Sequence, residues 1–228
     1  AFTWRFMISL TVRARSCRGV FFRGNSRPAA GERGSLSLPS VLELPPVLLA
    51  AVTCLPAAIL WGSVITFLPI HGPRSNVPNI GLFFTVYAAF TFISRLAAGR
   101  LSDRHGRAVV IIPALCLTAL GGFILAFLNG PYLLALAGAC FGLGFGGFVP
   151  ALNAFVVDNT SLAARSTALA VYTSFMDVGM TIGSMLFGLI GALIGFPGMF
   201  LVASALTCCG VILFTALHKK VKLSQDDL

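Results

Sequence analysis

Charged residues are scarce in this 228-residue chain: they make up 10% of it, against about 25% in an ordinary soluble domain. Only seven residues are acidic, whereas 57% of the side chains are hydrophobic and the mean hydropathy is +0.92. This is too little charge to cover a surface that faces water, so a soluble fold is excluded. The net charge of +9 does not indicate a nucleic-acid partner, because such a protein spreads its basic residues over a solvated surface.

Residue patterns that carry chemistry are also missing. The sequence has no P-loop, no H-E-x-x-H and no arrangement of Ser, His and Asp that predicts a nucleophile with its base. No C-x-x-C pair occurs among the six cysteines, five of which lie inside apolar runs as small packing residues. The three histidines, His71, His105 and His218, are far apart in the predicted topology. These absences predict a protein that is not an enzyme, with no metal and no bound cofactor.

Long apolar runs dominate the rest of the chain. Six runs are long enough to cross about 30 Å of hydrocarbon at 1.5 Å per residue: 46–69, 77–98, 108–128, 132–157, 166–194 and 199–217. They show no alternation of apolar and polar residues, so helices rather than barrel strands are expected. The sequence therefore predicts an all-α membrane protein with a six-helix transmembrane domain over 46–217.

Basic residues outside these runs predict the orientation of the domain. Short connections make neighbouring helices antiparallel, so that six helices leave both termini on one side of the membrane. Fourteen of the sixteen Lys and Arg fall on that side; Arg74 is the one in an opposite loop, and Arg95 lies inside the end of a span. The positive-inside rule then places both termini, and a tail over 218–228, in the cytoplasm.

The first 45 residues form a separate segment. They carry seven arginines and no 20-residue apolar run, so they do not span a membrane. We interpret 1–45 as an Arg-rich cytoplasmic or non-native leader; an organellar transit peptide is the alternative. A secretory signal is disfavoured, because Arg5 and Arg13 interrupt the apolar stretch.

The most informative short pattern is the connection between the second and third spans, residues 99–107, which reads Gly-Arg-Leu-Ser-Asp-Arg-His-Gly-Arg. Gly99 and Gly106 are expected to form tight turns between antiparallel helices. Asp103 is placed to cap a helix or to pair with an arginine. Arg104, Arg107 and their neighbour Arg100 are expected to face lipid phosphates or acidic partners.

This connection, with the run that precedes it, resembles the G-x-L-[SA]-D-[RK]-x-G-[RK] signature of the major facilitator superfamily. The glycine-rich run 142–150 and residues 175–179 also resemble later helices of that family, particularly in bacterial drug or metabolite efflux members. The resemblance covers about residues 40–228. It implies one six-helix half of the fold, the C-terminal one, built from two inverted three-helix repeats. It also implies a bacterial inner (plasma) membrane protein.

The resemblance implies secondary active transport of a small solute by alternating access, as proton-coupled efflux driven by a proton gradient. It makes residues 99–107 a conformational latch segment, in which Asp103 braces against the opposite half. That half is absent here, so the expected partners are a missing N-terminal half or a second copy of the chain, besides solute and membrane lipid; no nucleic acid is expected. The alternative is a truncated or partner-dependent half-transporter with no transport activity of its own.

Asp177 is the only acidic residue well inside a predicted span. It lies about 16 Å from the cytoplasmic start of its helix, where an ionised carboxylate is costly unless it meets water, a partner or a proton. Helical spacing puts Thr173, Ser174, Thr181 and Ser184 on the same face. The stripe indicates proton coupling or solute contact; the alternative is a structural hydrogen bond to a neighbouring backbone or hydroxyl.

Weaker candidates for the solute cavity are Trp61, Tyr87 and Asn153. Aromatic rings there would stack on a flat or cationic solute, although packing is the competing interpretation for each of them. Glycines at four-residue spacing, at 138, 142 and 146 and again at 179 and 183 and at 191 and 195, predict surfaces where another helix approaches closely.

Overall fold

The computed structural model describes residues 44–75, 77 and 79–226, with the side chains of these residues except for Arg74 and 219–226. The predicted leader, up to residue 43, lies outside the described residues, as do the side chains of the three lysines of the predicted tail. The described residues form five helices: α1 (Pro45–Arg74), α2 (Gly81–His105), α3 (Arg107–Ala126), α4 (Pro131–Asp158) and α5 (Arg165–Asp226). All five are long and apolar enough to cross a membrane.

The sequence predicted six helices, and α5 holds the fifth and sixth predicted spans in one element. Its backbone leaves helical geometry at Gly195, where φ is +79° and ψ is 164°. This conformation favours glycine, because a Cβ would crowd the neighbouring backbone. We call residues 165–194 the first arm and residues 196–226 the second arm of α5.

The chain reverses direction at this break. Gly183 of the first arm lies against Ile59 of α1, and Thr207 of the second arm donates a hydrogen bond to the Pro56 carbonyl at 3.3 Å. These α1 residues are one turn apart, whereas a straight helix would separate positions 183 and 207 by about 36 Å. Both arms therefore pack along the same part of α1, in opposite directions.

Of the helices that are consecutive in sequence, only α3 and α4 are principal neighbours in space. The main pairs are α1 with α5, α2 with α4, and α3 with α4 and α5. Two apolar core clusters result, one towards each end of the bundle. The first contains Val47, Ile111 and Phe148; the second contains Leu68, Phe83 and Phe200.

Small residues allow these helices to approach closely. A Cβ built on Gly142 would lie 2.6 Å from the Tyr87 carbonyl oxygen, and one on Gly146 would lie 2.9 Å from Thr91 Cα, so both glycines face α2. Gly138 makes the same contact one turn earlier. The glycine spacing thus predicted a close helix contact correctly on α4, and at 179 and 183 on α5. It was wrong for Gly195, which is the site of the chain reversal.

The sequence predicted that the latch segment is a loop, and this prediction was wrong. Most of the segment forms the last two turns of α2. The helix continues through Gly99, Asp103 and Arg104 to His105, and Gly106 alone separates it from α3. Gly106 has φ +91° and ψ 156°, and its N–H donates to the Ser102 carbonyl at 3.1 Å. The predicted turn at Gly106 is therefore confirmed, whereas Gly99 is helical. Charged residues end an apolar run without ending a helix, which explains the error.

We expect Gly106→Ala to lower the stability of the folded domain by about 1–3 kcal/mol, because a side chain at this φ is strained whatever the space around it. Gly99→Ala is the matched control: it lies in open space within a helix, and we expect an unchanged or slightly higher melting temperature. Thermal unfolding of both variants in detergent tests this difference. Equal losses in the two variants would contradict the turn geometry.

Candidate functional site

Charged side chains cluster at one end of the bundle, where α2 meets α3 and α4 meets α5. Arg107 Nε donates to Asp158 Oδ2 at the end of α4 (2.8 Å), and its Nη1 pairs with Asp103 Oδ1 and donates to Ser102 Oγ at 3.0 Å. The Arg107 side chain is 25% exposed, whereas those of Asp103 and Asp158 are 67% and 49% exposed. One guanidinium thus joins the ends of α2, α3 and α4. We call this end of the bundle the charged end.

Arg165 completes the charged end by binding one carbonyl in the last turn of α4 and one just beyond that helix. Its Nε donates to the carbonyl oxygens of Val157 at 3.1 Å and Thr160 at 3.4 Å. The final carbonyls of a helix have no partner within it, and a cation at that end is stabilised by the negative end of the helix dipole. The nearby Arg104 and Gly99 of the latch segment are exposed.

Asp177 lies on an exposed face of the first arm of α5, together with Thr173, Ser174 and Thr181. The hydroxyls bind their own helix: Ser174 Oγ donates to the Ala170 carbonyl at 2.8 Å, and Thr181 Oγ1 donates to the Asp177 carbonyl at 2.9 Å. Thr173 does the same one turn earlier. Among the described residues, no hydrogen bond or ion pair reaches the Asp177 carboxylate. Asp177, Thr173, Ser174 and Thr181 therefore share an exposed face, as predicted. Ser184 departs from it: this residue is partly buried, and its hydroxyl donates to the Met180 carbonyl at 2.8 Å and to the Gly62 carbonyl of α1 at 3.5 Å.

Trp61 and Tyr87 are brought together by α1 and α2. Their ring centroids are 4.6 Å apart at an interplanar angle of 28°, and the Trp61 ring also lies 5.1 Å from Phe145 and 5.8 Å from Phe141. Trp61 is only 8% exposed, whereas Tyr87 is half-buried. The indole therefore fills a core position, and Tyr87 is the more exposed member of the pair.

Asn153 on α4 is partly buried, and its Oδ1 accepts no hydrogen bond from the part of the chain that the structure describes. A buried amide oxygen without a donor is unusual and marks a position where a ligand or water would be stabilised. Within the described part of the chain, no hydrogen bond, ion pair or ring contact connects Asn153 or the Trp61–Tyr87 pair with the Asp177 stripe. The predicted cavity residues thus form separate groups within this chain.

Sequence reasoning missed two charged residues. It left Arg95 at the end of a span, but α2 continues ten residues further, so Arg95 is an exposed charge about 15 Å inside the helix. It also missed that Asp158 is a partner of Arg107. The signal was available, because the second-to-third and fourth-to-fifth connections are predicted on the same side, and the acidic Asp158 of one can meet the arginines of the other.

Comparison with protein families gives one match over most of the chain: the model described as Major Facilitator Superfamily matches residues 47–226. An uncharacterized MFS-type transporter of Burkholderia mallei (strain SAVP1) is 29% identical over 160 residues, which are 70% of this chain and 39% of that protein. An uncharacterized MFS-type transporter of Pseudomonas aeruginosa (strain UCBPP-PA14) is 30% identical over 164 residues, 72% of this chain and 40% of that protein. The chain thus spans about two fifths of the length of these relatives.

Solved structures share the helical arrangement. A crystal structure of the peptide transporter POT in complex with sulfate matches with a TM-score of 0.67 at 19% identity, covering 76% of this chain and 38% of that one. The POT family transporter PepTSo matches with a TM-score of 0.64 at 17% identity, covering 77% of this chain and 37% of that one. At this level of identity the similarity shows the fold.

Proposed function

This chain belongs to the major facilitator superfamily and is a membrane protein of a non-enzymatic transport family, and from that premise we propose that it serves proton-coupled efflux of a small amphipathic solute by alternating access. The single observation that supports coupling is the unpaired Asp177 carboxylate on the exposed face of the first arm. A carboxylate inside a span is costly, and it marks a solute or proton pathway by default.

We further propose that the two arms of α5 are the fifth and sixth spans. The 62 residues of α5 would extend about 93 Å as one straight helix, three times the hydrocarbon thickness, whereas each arm alone extends about 45 Å. With the reversal at Gly195, α5 begins and ends at the charged end. Six spans follow from this assignment, and membership of the family favours their arrangement as two inverted repeats of three.

The charged end is assigned to the cytoplasm, with both termini on that side. The assignment rests on Arg100, Arg104, Arg107 and Arg165, which lie at this end of the described bundle. The bacterial inner membrane is the proposed location, since the two relatives described above are bacterial. The proton gradient across that membrane would supply the energy, with no bound cofactor.

A second candidate function is a partner-dependent half with no transport of its own. The observation that favours it is coverage, because the chain spans only 39% of the Burkholderia relative. A solute pathway between halves needs a second set of helices, from a missing N-terminal half or from a second copy. The exposed position of the Asp177 stripe is consistent with one side of a solute pathway that a second set of helices completes.

We expect Asp177→Asn to abolish gradient-driven solute movement, because the asparagine amide cannot bind and release a proton at that depth in the membrane. The experiment reconstitutes the chain alone, and a version extended upstream by six helices, in liposomes with an imposed proton gradient and a panel of dyes and metabolites. Asp177→Glu is the matched control, since it keeps a titratable carboxyl group at the same position, and it should retain gradient dependence.

The outcomes separate the two candidates. Transport by the extended version that is lost in Asp177→Asn supports the coupling role. An inert chain beside an active extended version supports the partner-dependent half. Gradient-dependent transport by Asp177→Asn would remove the coupling role and leave Asp177 structural, and no transport by either version would contradict the efflux proposal.

A further inference from the structure

Three of the five described cysteines are exposed: Cys116 on α3, and the adjacent Cys208 and Cys209 on the second arm of α5. All three are free thiols, whereas Cys54 and Cys140 are buried. A free cysteine that serves packing is ordinarily enclosed, so the packing role predicted from the sequence does not explain these three positions.

The helices that carry these thiols, α3 and the second arm, pack on one another and run in opposite directions. Leu115 of α3 shares one core cluster with Phe214, whereas Leu125, further along α3, shares the other cluster with Phe200. Later residues of α3 therefore meet earlier residues of the second arm, and the two helices are antiparallel.

A contact between Gly122 and Ser204 sets the register of this pair. A Cβ built on Gly122 would lie 2.5 Å from Ser204 Oγ. From this level, Cys116 lies six residues back along α3 and Cys208 lies four residues forward along the second arm, about 9 Å and 6 Å towards the charged end. The two cysteines therefore differ in depth by only about 3 Å.

Cys116 and Cys208 also lie on sides of their helices that approach one another. Cys208 follows Ser204 by one helical turn, so both residues are on the side of the second arm that faces α3. The Cys208 side chain is within electrostatic reach of Cys116. Cys209, in contrast, is rotated by about 100° from that side.

The spacing of packed helices allows a disulfide at this position. Packed helix axes are about 8–10 Å apart and Cα atoms lie about 2.3 Å from each axis, so facing Cα atoms at one level are about 3.4–5.4 Å apart. With the depth offset of about 3 Å, the Cα separation becomes about 4.5–6.2 Å. A disulfide spans about 4.4–6.8 Å between Cα atoms.

The surroundings of the two thiols are apolar. Cys116 is nine residues after the start of α3 at Arg107, about 13.5 Å inside a helix that is long enough to span the membrane. Leu120, one turn after Cys116, and Ile212, one turn after Cys208, are exposed large apolar side chains. A charged oxidant stays in water, so an oxidant that reaches these thiols must dissolve in lipid.

We propose that Cys116 and Cys208 form a dithiol site that a quinone dissolved in the bilayer oxidises to a disulfide, which joins α3 to the second arm. A quinone dissolves in lipid and accepts two electrons and two protons. The first thiol adds to the quinone while its proton passes to a quinone oxygen, and the second thiol then displaces hydroquinone from the first sulfur. Two S–H bonds break, one S–S bond forms, and the quinone leaves as hydroquinone.

This site is independent of the proposed transport function, because both thiols belong to helices of this chain that pack on one another. Transport without oxidation, or oxidation without transport, would therefore overturn only one of the two proposals.

Thiol counting in liposomes tests the site. The full chain with all its cysteines is reduced, reconstituted and treated anaerobically with a fully substituted quinone, whose ring has no free position for lasting addition. We expect loss of one pair of free thiols per chain, formation of an equal amount of hydroquinone per disulfide, and a peptide that links Cys116 to Cys208 after non-reducing digestion. Oxidised glutathione on both sides of the membrane should leave this pair reduced, since it is charged and stays in water.

Single alanine variants identify the thiols. Cys116→Ala and Cys208→Ala should each abolish the thiol loss and the formation of hydroquinone. Cys209→Ala is the control, since it removes the neighbouring exposed thiol on another side of the same helix, and its oxidation should equal that of the wild type. Size-exclusion profiles check that each variant is folded.

Three results would overturn the proposal. The first is a wild-type chain that keeps all its thiols in the presence of the quinone. The second is undiminished oxidation of Cys208→Ala through Cys209. The third is equal oxidation by glutathione and by the quinone, which would show that the oxidant reaches the pair from water.

Discussion

Gly62→Ala combined with Gly183→Ala is expected to remove most of the folded, monodisperse protein. A Cβ built on Gly183 would overlap the Ile59 carbonyl oxygen and lie 2.9 Å from the Ile59 carbonyl carbon. One built on Gly62 would overlap the Met180 carbonyl oxygen. These obstacles are backbone atoms, which cannot rotate aside as a flexible side chain does, so α1 and the first arm must separate.

Separation of this pair also breaks hydrogen bonds between the helices. Ser63 Oγ contacts the Gly183 carbonyl at 3.2 Å, and that contact depends on the close approach. Overpacking of a tight core contact costs about 1–3 kcal/mol per site, and two adjacent sites act on one interface. Size-exclusion profiles and melting temperatures in mild detergent measure the loss.

Gly191→Ala is the matched control on the same arm. Its Cβ would meet the Met199 sulfur at 3.3 Å, the end of a flexible side chain. We expect near wild-type folding for this variant. Equal damage from Gly191→Ala would indicate that any alanine on this arm is harmful, and the close contact between α1 and the first arm would not be the cause.

Arg107→Glu is expected to give the second largest effect, because it replaces the guanidinium shared by two aspartates with a third carboxylate. Asp103 and Asp158 would then face a like charge instead of sharing one guanidinium. Exposed ion pairs are individually worth little, but one arginine that joins three helix ends forms a network, and reversal of its charge is repulsive at both carboxylates. We expect a melting temperature several degrees lower, with a larger difference at low salt.

Rescue identifies the contact responsible. Combining Arg107→Glu with Asp158→Arg restores an opposite pair between α3 and α4 with the charges exchanged, and most of the lost stability should return. Asp103→Asn alone removes only the more exposed partner and should have a small effect. Failure of the exchanged pair to restore stability would show that Arg107 acts through Ser102 or the helix ends and not through Asp158.

The positions of the helices were largely predictable from the sequence, because a bilayer imposes both a length and an apolar composition. The spans predicted over 108–128 and 132–157 agree closely with α3 and α4. The prediction failed at the end of α2, where the chain is no longer apolar but is still helical. Residues 99–105 are too polar for the hydrocarbon yet remain helical, because backbone hydrogen bonding does not stop at the membrane surface and only Gly106 interrupts it.

The candidate site was predictable residue by residue but not as an arrangement. Periodicity placed Asp177, Thr173 and Thr181 on one face, which the structure confirms. The Arg107–Asp158 pair joins residues 51 apart, and no local pattern connects them. Likewise, the spacing of Gly138, Gly142 and Gly146 indicated a close contact without indicating that α2 makes it. Partner choice depends on the packed bundle and is not encoded in a single helix.

The dependence of α1 on α5 has a consequence for how the protein is made. During synthesis α1 enters the membrane before α5, and Gly179 and Gly183, against which α1 packs, follow more than a hundred residues later. At about 5–20 residues per second, the ribosome leaves α1 without its main neighbour for several seconds. The close-packing surface of α1 therefore contacts lipid or the insertion machinery until α5 arrives. Premature termination anywhere before α5 would leave α1 without that neighbour.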